Sequence, residues 1–268
     1  MITIGSIAVL LYVAAWLALA NRWRAKLSHS NAPTMSQYYL ILWAGAALFH
    51  ASYLYLPLIY QQQIALDFMS AASHIMWLAG FILLLSSVKQ NVESLNVFTL
   101  PFIGLALALQ LLMTKDSSAL ALNGGVGIHI FSALLAYSML MIAAIQSLIL
   151  AYQHTQLHAR QTNAFLQTLP PLQVMDSLLF RFLATGLILL SIALVTGFIY
   201  LENLFGQHIG HKTILSIIAW FVFSALLIGR WRYGWRGLSA ARWTLSGFGL
   251  LMLAFFGTKF VQEYLLAS

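Results

Sequence analysis

The sequence GIHIFSALLAYSMLMIAAIQSLILAY, from Gly127 to Tyr152, decides the fold of this chain. It contains no charged side chain, and none follows it before Arg160. A helix of this length crosses a hydrocarbon core of roughly 30 Å. His129 lies in the first turn of the run, which puts an imidazole at one end of a predicted membrane span.

The composition extends the same argument to the whole chain. Of 268 residues, 61% are hydrophobic and only 7% are charged, and the mean hydropathy is +0.86. A soluble domain needs more surface charge than this. Lipid offers no partner to backbone polar groups, and the apolar runs lack the period-two alternation of a β-barrel. The predicted fold class is therefore all-α: a polytopic helical membrane bundle of about 8 transmembrane helices, forming a single integral membrane domain over residues 1–268.

Apolar runs of about 20 residues mark the predicted spans. They lie near Ile2–Ala20, Gln37–Leu56, Ala65–Val88, Val97–Met113, Ile128–Tyr152, Leu179–Leu201, Thr213–Gly229 and Trp243–Leu266. The longest connection between them, Gln153–Leu178, contains Leu169-Pro170-Pro171-Leu172, where the prolines are expected to break the helix. Asp176 follows, and we interpret it chiefly as a helix N-cap.

The distribution of lysine and arginine predicts the orientation. The larger set of basic residues falls in one group of loops and comprises Arg22, Arg24, Lys26, Lys89, Arg160, Arg181, Arg230, Arg232, Arg236 and Arg242. The opposite loops carry Lys115, Lys212 and Lys259. Basic loops face the cytoplasm, so both termini are expected on the non-cytoplasmic side. The basic, aromatic segment Arg230–Gly237 is then a topology anchor in contact with the lipid bilayer, and no nucleic-acid partner is expected.

Histidine is the candidate ligand, because the chain has no cysteine for a disulfide, a thiol site or covalent haem attachment. With the orientation above, His50, His129, His208 and His211 gather toward the outer face, and His74 lies near the middle of the third span. An imidazole in hydrocarbon needs a bonded partner or a liganded cavity. For His50 and His74, a hydrogen-bonded contact between helices is an equal alternative to a ligand role. For His208 and His211, a solvated position in a loop is favoured over a ligand role.

Among metal centres, haem suits these residues better than zinc. Zinc takes three or four close ligands, and the carboxylates expected near the outer face show no such spacing. Haem needs one or two axial imidazoles and a large apolar cradle. Aromatic side chains are also common in ordinary helix packing. Those that could supply the cradle are Trp43, Phe49, Tyr53, Trp77, Phe131, Tyr137, Phe198, Tyr200 and Trp220.

The second half of the chain also resembles a known family through a series of short motifs. In order they are Ile128-His129 leading to Ala136-Tyr137, Leu169-Pro170-Pro171-Leu172 with Asp176, Phe180-Arg181 and Gly186, Thr196-Gly197, His211-Lys212-Thr213 leading to Ala219-Trp220, and Gly229-Arg230 with Gly234-Trp235-Arg236-Gly237. In this combination the chain is similar to the cytochrome c assembly protein family (CcsA/CcmC-like), and in particular to its short members of the YpjD and HemX type. The resemblance covers about residues 127–260. It implies a multi-pass protein of the bacterial inner (cytoplasmic) membrane.

The same resemblance implies that His129 is an axial ligand of non-covalently bound haem b at the outer face. The segment Leu201–Gly210 stands where the family carries a tryptophan-rich haem-binding segment, but it lacks the W-x-W-D signature. The opposite axial ligand is left open between His211 and His50. A protein that binds no haem is the alternative. The expected cofactor-binding residues are His129, His211, His50 and Trp220. Lys212 and the arginines are candidate contacts of the haem propionates.

These observations leave three hypotheses for the function. The first is haem handling in cytochrome c biogenesis, or haem-linked regulation. The second is a haem-free membrane scaffold that holds a membrane or cytoplasmic protein partner through the Gln153–Leu178 connection. The third, a small-solute transporter, would require charged groups at the membrane midplane, where no acidic residue is expected. No constellation of nucleophile, acid and base stands out, so no enzymatic activity is assigned.

Overall fold

The computed structural model describes residues 1–27, 38–89, 92–113, 120–121, 124–160, 163–200 and 210–265. In these ranges the chain is almost wholly helical, and 8 helices are long and apolar enough to cross a membrane. The predicted all-α polytopic membrane fold is therefore confirmed. These residues also include a short antiparallel pairing of β1 (Gln63–Ile64) with β2 (Leu120–Ala121).

The long helices are joined by short connections, and one short helix lies between the fifth and sixth spans. They are α1 (Ile2–Leu27), α2 (Tyr38–Gln61), α3 (Phe68–Lys89), α4 (Glu93–Met113), α5 (Gly124–His158), α6 (Ala164–Thr168), α7 (Leu172–Tyr200), α8 (Gly210–Tyr233) and α9 (Leu238–Met252). The last span continues past α9 through π-helical turns at Leu253–Gly257, a single α-helical turn, α10 (Thr258–Phe260), and further π-helical turns at Val261–Leu265.

The predicted connection Gln153–Leu178 is wrong in its bounds. Helix α5 continues to His158 and α7 already begins at Leu172, so most of the stretch is helical. Hydropathy detects only the part of a helix that lies in hydrocarbon, whereas the helix itself continues into polar residues at its ends. Pro171 directly precedes α7, where its fixed φ and missing N–H do no harm to the helix.

The chain divides into two compact units. The first comprises Met1–Ala121 with Thr162–Pro170, and the second comprises Leu122–Gln161 with Pro171–Ser268. The single integral membrane domain proposed for residues 1–268 stays a prediction.

In the first unit, α1 packs against α2 and α4, and α3 packs against α2 and α4. Glu93 begins α4, where a carboxylate is favoured by the helix dipole. It lies 2.6 Å from Nη2 of Arg22 and also pairs with Lys26, so two basic residues at the end of α1 are tied to the start of α4. Asp67 caps α3, because its Oδ1 accepts from the N–H of Met69 at 3.2 Å and of Ser70 at 3.1 Å.

In the second unit, α5 packs along α7 and α9, and α8 packs against α7 and α9. Two contacts define an antiparallel register between α5 and α7. The amide of Gln146 donates to the carbonyl of Met175 at 3.1 Å near one end, and His129 bonds Ala193 near the other. Residues far apart in sequence are therefore brought to the same depth.

The surface of the helices is strongly apolar. Large hydrophobic side chains are widely exposed, among them Leu48 at 70%, Leu112 at 82% and Trp231 at 81%. A soluble protein does not expose apolar side chains on this scale. The exposed surface therefore suits contact with lipid, in agreement with the composition.

Candidate functional site

His129 lies in the second turn of α5 and is partly buried in the second unit. Its Nδ1–H donates to the carbonyl oxygen of Ala193, on α7, at 2.8 Å. A carbonyl oxygen can only accept, so Nδ1 carries the proton and Nε2 of the neutral ring keeps its lone pair. Histidines that bind metals show this arrangement, in which the second ring nitrogen is fixed by a backbone carbonyl. This bond therefore fixes the tautomer and the orientation of the His129 ring.

The start of α5 is shaped by a close approach to the end of α7. A Cβ placed on Gly125 would overlap the ring of Tyr200, so only glycine fits there. The glycines before His129 belong to α5 itself. Gly125 makes room for an aromatic ring one turn from the histidine.

Trp220 is held at the same depth as His129. Its Nε1–H donates to the hydroxyl of Ser191 on α7 at 2.8 Å, and that hydroxyl donates to the carbonyl of Leu187 at 2.8 Å. Ser191 lies two residues before Ala193, or about 3 Å along the helix axis. Helix α7 thus sets the depth of both Trp220 and His129, although the two side chains reach it from different helices.

His211 and Lys212 lie in the first turn of α8. The His211 side chain is exposed, and Lys212 is half-buried with its ammonium 5.9 Å from the centre of the Phe255 ring. The structure therefore puts both residues in the same unit as His129. His208 and most of the preceding segment, through Ile209, lie outside the described residues.

His50 belongs to the first unit and is completely buried. Its Nδ1 lies 3.3 Å from the hydroxyl of Tyr12, and its Nε2 lies 2.9 Å from the hydroxyl of Ser73. Each hydroxyl can donate or accept, so either neutral tautomer of the ring is satisfied. The geometry is that of a hydrogen-bonded contact between helices, and a ligand role for His50 stays a prediction.

His74, also buried in the first unit, has one ring nitrogen without a partner. Its Nδ1–H donates to the carbonyl of Ser70 at 2.7 Å, and the amide of Gln110 donates to the Ser70 hydroxyl at 3.0 Å. Nε2 of His74 is buried and meets no hydrogen-bond partner within the described ranges. The bond to Ser70 lies within α3 and does not join two helices, and the ligand role left open for His74 stays a prediction.

The described part of the chain contains no group of three or more histidine, aspartate or glutamate side chains that could hold a metal ion. Zinc and similar ions need such a group. An iron that brings its own equatorial ligands needs only one or two imidazoles. A single oriented imidazole such as that of His129 is compatible with haem ligation.

At the other end of the second unit, the structure corrects the interpretation of Asp176 as a cap of its own helix. Asp176 lies inside α7; its Oδ1 accepts from the N–H of Gly237 at 3.3 Å, and its Oδ2 lies 2.7 Å from Nη2 of Arg230. Arg230 also donates to the carbonyl of Trp235 at 3.2 Å and lies 4.6 Å from the centre of the Phe180 ring. Gly237 is the N-cap residue of α9 and has a φ of 63°, which favours glycine. Asp176 therefore caps α9, and residues from three separate motifs form one cluster.

Comparison with known proteins identifies relatives of this chain. The inner membrane protein YpjD of Escherichia coli K12 is 36% identical over 167 residues, which is 62% of this chain and 63% of YpjD. Protein HemX of Brevibacillus brevis is 26% identical over 48% of each chain. The cytochrome c biogenesis protein CcsA of Prochlorococcus marinus NATL1A is 25% identical over 40% of this chain and 36% of its own length. The chain thus aligns with less than two thirds of the length of these relatives.

No solved structure matches the chain. The apolar helices and the similarity to an inner membrane protein support a multi-pass protein of the inner membrane. A model of the family described as cytochrome C assembly protein matches residues 40–266, a wider range than the motifs of residues 127–260. Since that match covers most of the chain, this protein belongs to the cytochrome c assembly protein family.

Proposed function

We propose that this protein binds haem b through His129 near the outer membrane face and serves haem handling in cytochrome c biogenesis or haem-linked regulation. Membership of the cytochrome c assembly family supports a haem-related role in biogenesis. The observation that carries the proposal is the 2.8 Å bond from Nδ1–H of His129 to the Ala193 carbonyl. It fixes the ring and leaves Nε2 to bind iron.

The second axial ligand is proposed to be His211. His211 is exposed in the first turn of α8, in the same unit as His129, so its ring can turn toward a ligand without breaking a described hydrogen bond. His50 would have to give up one of its two hydrogen bonds, to Tyr12 or to Ser73. Losing such a bond in a buried site costs about 1–3 kcal/mol.

The remaining parts of the site follow from the same helices. Trp220 supplies an aromatic wall at the depth of His129, held by Ser191. The distribution of basic residues predicts that the start of α5 lies at the outer face. Haem bound here would supply an iron centre for redox change or transfer, while the protein holds it without a covalent bond, because the chain has no cysteine.

Absorption spectra of the detergent-purified protein, expressed with added haem, test the proposal. We expect a Soret band and sharp reduced α and β bands in wild-type protein, lost in His129→Ala and altered in His211→Ala. His158→Ala is the matched control, because His158 is exposed at the opposite end of α5. It should leave the spectrum unchanged.

Two results would refute the proposal. A flat visible spectrum of the folded wild-type protein would exclude haem and favour the scaffold hypothesis. A haem spectrum that survives His129→Ala would place the ligand elsewhere.

A further inference from the structure

A row of polar side chains follows the first two turns of α3, in the first unit. Asp67, Ser70 and His74 stand at positions i, i+3 and i+7, which fall on one face of a helix. Oδ1 of Asp67 accepts from the N–H of Ser70 at 3.1 Å, and the carbonyl of Ser70 accepts from Nδ1–H of His74 at 2.7 Å. The row therefore runs without a break from the start of α3 to His74, about 10 Å along the helix axis.

Neighbouring helices of the same unit cover this row. Gln110 on α4 donates to the Ser70 hydroxyl at 3.0 Å. The ring of Tyr55 on α2 packs edge to face with the ring of His74, and the two ring centres are 5.5 Å apart. Ser70 is completely buried, and His74 is only 1% exposed. A polar atom in this place is satisfied only by the protein itself or by internal water.

Two buried atoms of the row have no hydrogen-bond partner among the residues that the structure describes. They are Oδ2 of Asp67 and Nε2 of His74. Nε2 is an acceptor, because Nδ1 carries the proton of the neutral ring, and a carboxylate oxygen is an acceptor as well. The charge of Asp67 is close enough to act on His74. Both atoms therefore need a hydrogen-bond donor, and both lie on the same side of α3.

The donors that flank His74 along α3 are engaged elsewhere. Nε1–H of Trp77, three residues after His74, donates to the carbonyl of Ala47 at 2.8 Å. The hydroxyl of Ser73 lies 2.9 Å from Nε2 of His50, whose other ring nitrogen is also hydrogen-bonded. A buried acceptor that meets no donor is unfavourable. The protein groups described around Nε2 of His74 do not supply this donor.

We propose that Nε2 of His74 binds an internal water molecule, which donates a hydrogen bond to it. The nitrogen is enclosed by protein, so its ligand is the smallest available donor, and buried water typically bonds to polar groups that lack a protein partner. Oδ2 of the half-buried Asp67 binds water in the same way, closer to the start of α3. The row is then a hydrated path into the first unit, and it does not depend on haem binding at His129.

Hydroxyl-radical labelling of the detergent-purified protein, read by mass spectrometry, tests the site. A short X-ray pulse makes radicals from internal water, and these oxidise the side chains beside it. His50 is the matched control, because it is as buried as His74 but both of its ring nitrogens meet protein hydroxyls. We expect oxidation of His74 and none of His50. In His74→Phe the ring at position 74 should lose this oxidation, because it has no nitrogen to hold water.

Three outcomes would overturn the proposal. If neither histidine of the wild-type protein is oxidised, Nε2 of His74 is dry. If both are oxidised equally, water enters the first unit without a specific site. If the ring at position 74 in His74→Phe is oxidised as strongly as His74, the water is not bound by Nε2. Oxidation of His50 in the variant would show that the variant misfolds, and the comparison of the two histidines in wild-type protein then decides by itself.

Discussion

Breaking the pair between Asp176 and Arg230 should destabilise the second unit measurably. The Asp176 side chain is only 9% exposed, whereas that of Arg230 is 34% exposed. Removing one partner of a fully buried pair costs about 3–5 kcal/mol. Water reaches Arg230 and recovers part of this energy, so we expect a loss of about 2–3 kcal/mol for Asp176→Ala. Asp176→Asn keeps an acceptor for the N–H of Gly237 and should cost less, about 1–2 kcal/mol.

A double-mutant cycle isolates the pair. The variants are Asp176→Asn, Arg230→Gln and the double variant, with unfolding in a mild detergent followed by tryptophan fluorescence. Each kcal/mol should shift Tm by about 2–4 °C in a protein of this size. The coupling energy should be about 1–2 kcal/mol. Losses that simply add, with a coupling below about 0.3 kcal/mol, would show that the ion pair contributes nothing and refute the reasoning.

Two further predictions concern packing and hydrogen bonding. A Cβ on Gly186 would lie 2.7 Å from Cγ of the fully buried Leu140, so Gly186→Ala should lower stability by about 1–2 kcal/mol. In the double variant, Leu140→Ala should recover part of this loss. A loss from Gly186→Ala that is equal with Leu140 and with Ala at position 140 would contradict the prediction. Tyr12→Phe removes the hydroxyl 3.3 Å from Nδ1 of His50 and should cost about 0.5–1.5 kcal/mol by thermal unfolding. In a His50→Ala background the same change should cost almost nothing, and an unchanged cost there would mean that the hydroxyl acts through another residue.

The sequence predicted the number and order of the spans, because an uncharged apolar run of about 20 residues is rare outside membrane helices. It misplaced the ends of α5 and α7, because His158 and Leu172 lie in polar or proline-flanked turns that hydropathy does not register. The π-helical turns after Met252 also left no signal, since a wider turn changes the direction of side chains without changing their polarity.

The candidate site was only partly predictable, because its contacts join residues that are far apart in the sequence. His129 was singled out from its position at the head of a span, yet its orientation depends on Ala193, 64 residues away. Asp176 was assigned to its own helix because capping rules are local. Its actual partners, Arg230 and Gly237, are set by the packing of α7 against the α8–α9 turn.

The position of Asp176 also has a consequence for synthesis of the chain. Gly237 donates its N–H to Asp176 and is translated 61 residues later, after α7 and α8 are complete. The acceptor is therefore in place before the final turn emerges from the ribosome. Once Arg230 and Gly237 have been synthesised, the turn between α8 and α9 can pack directly against the carboxylate of Asp176. Truncated nascent chains that end before Gly237 should thus carry Asp176 with only Arg230 to satisfy it.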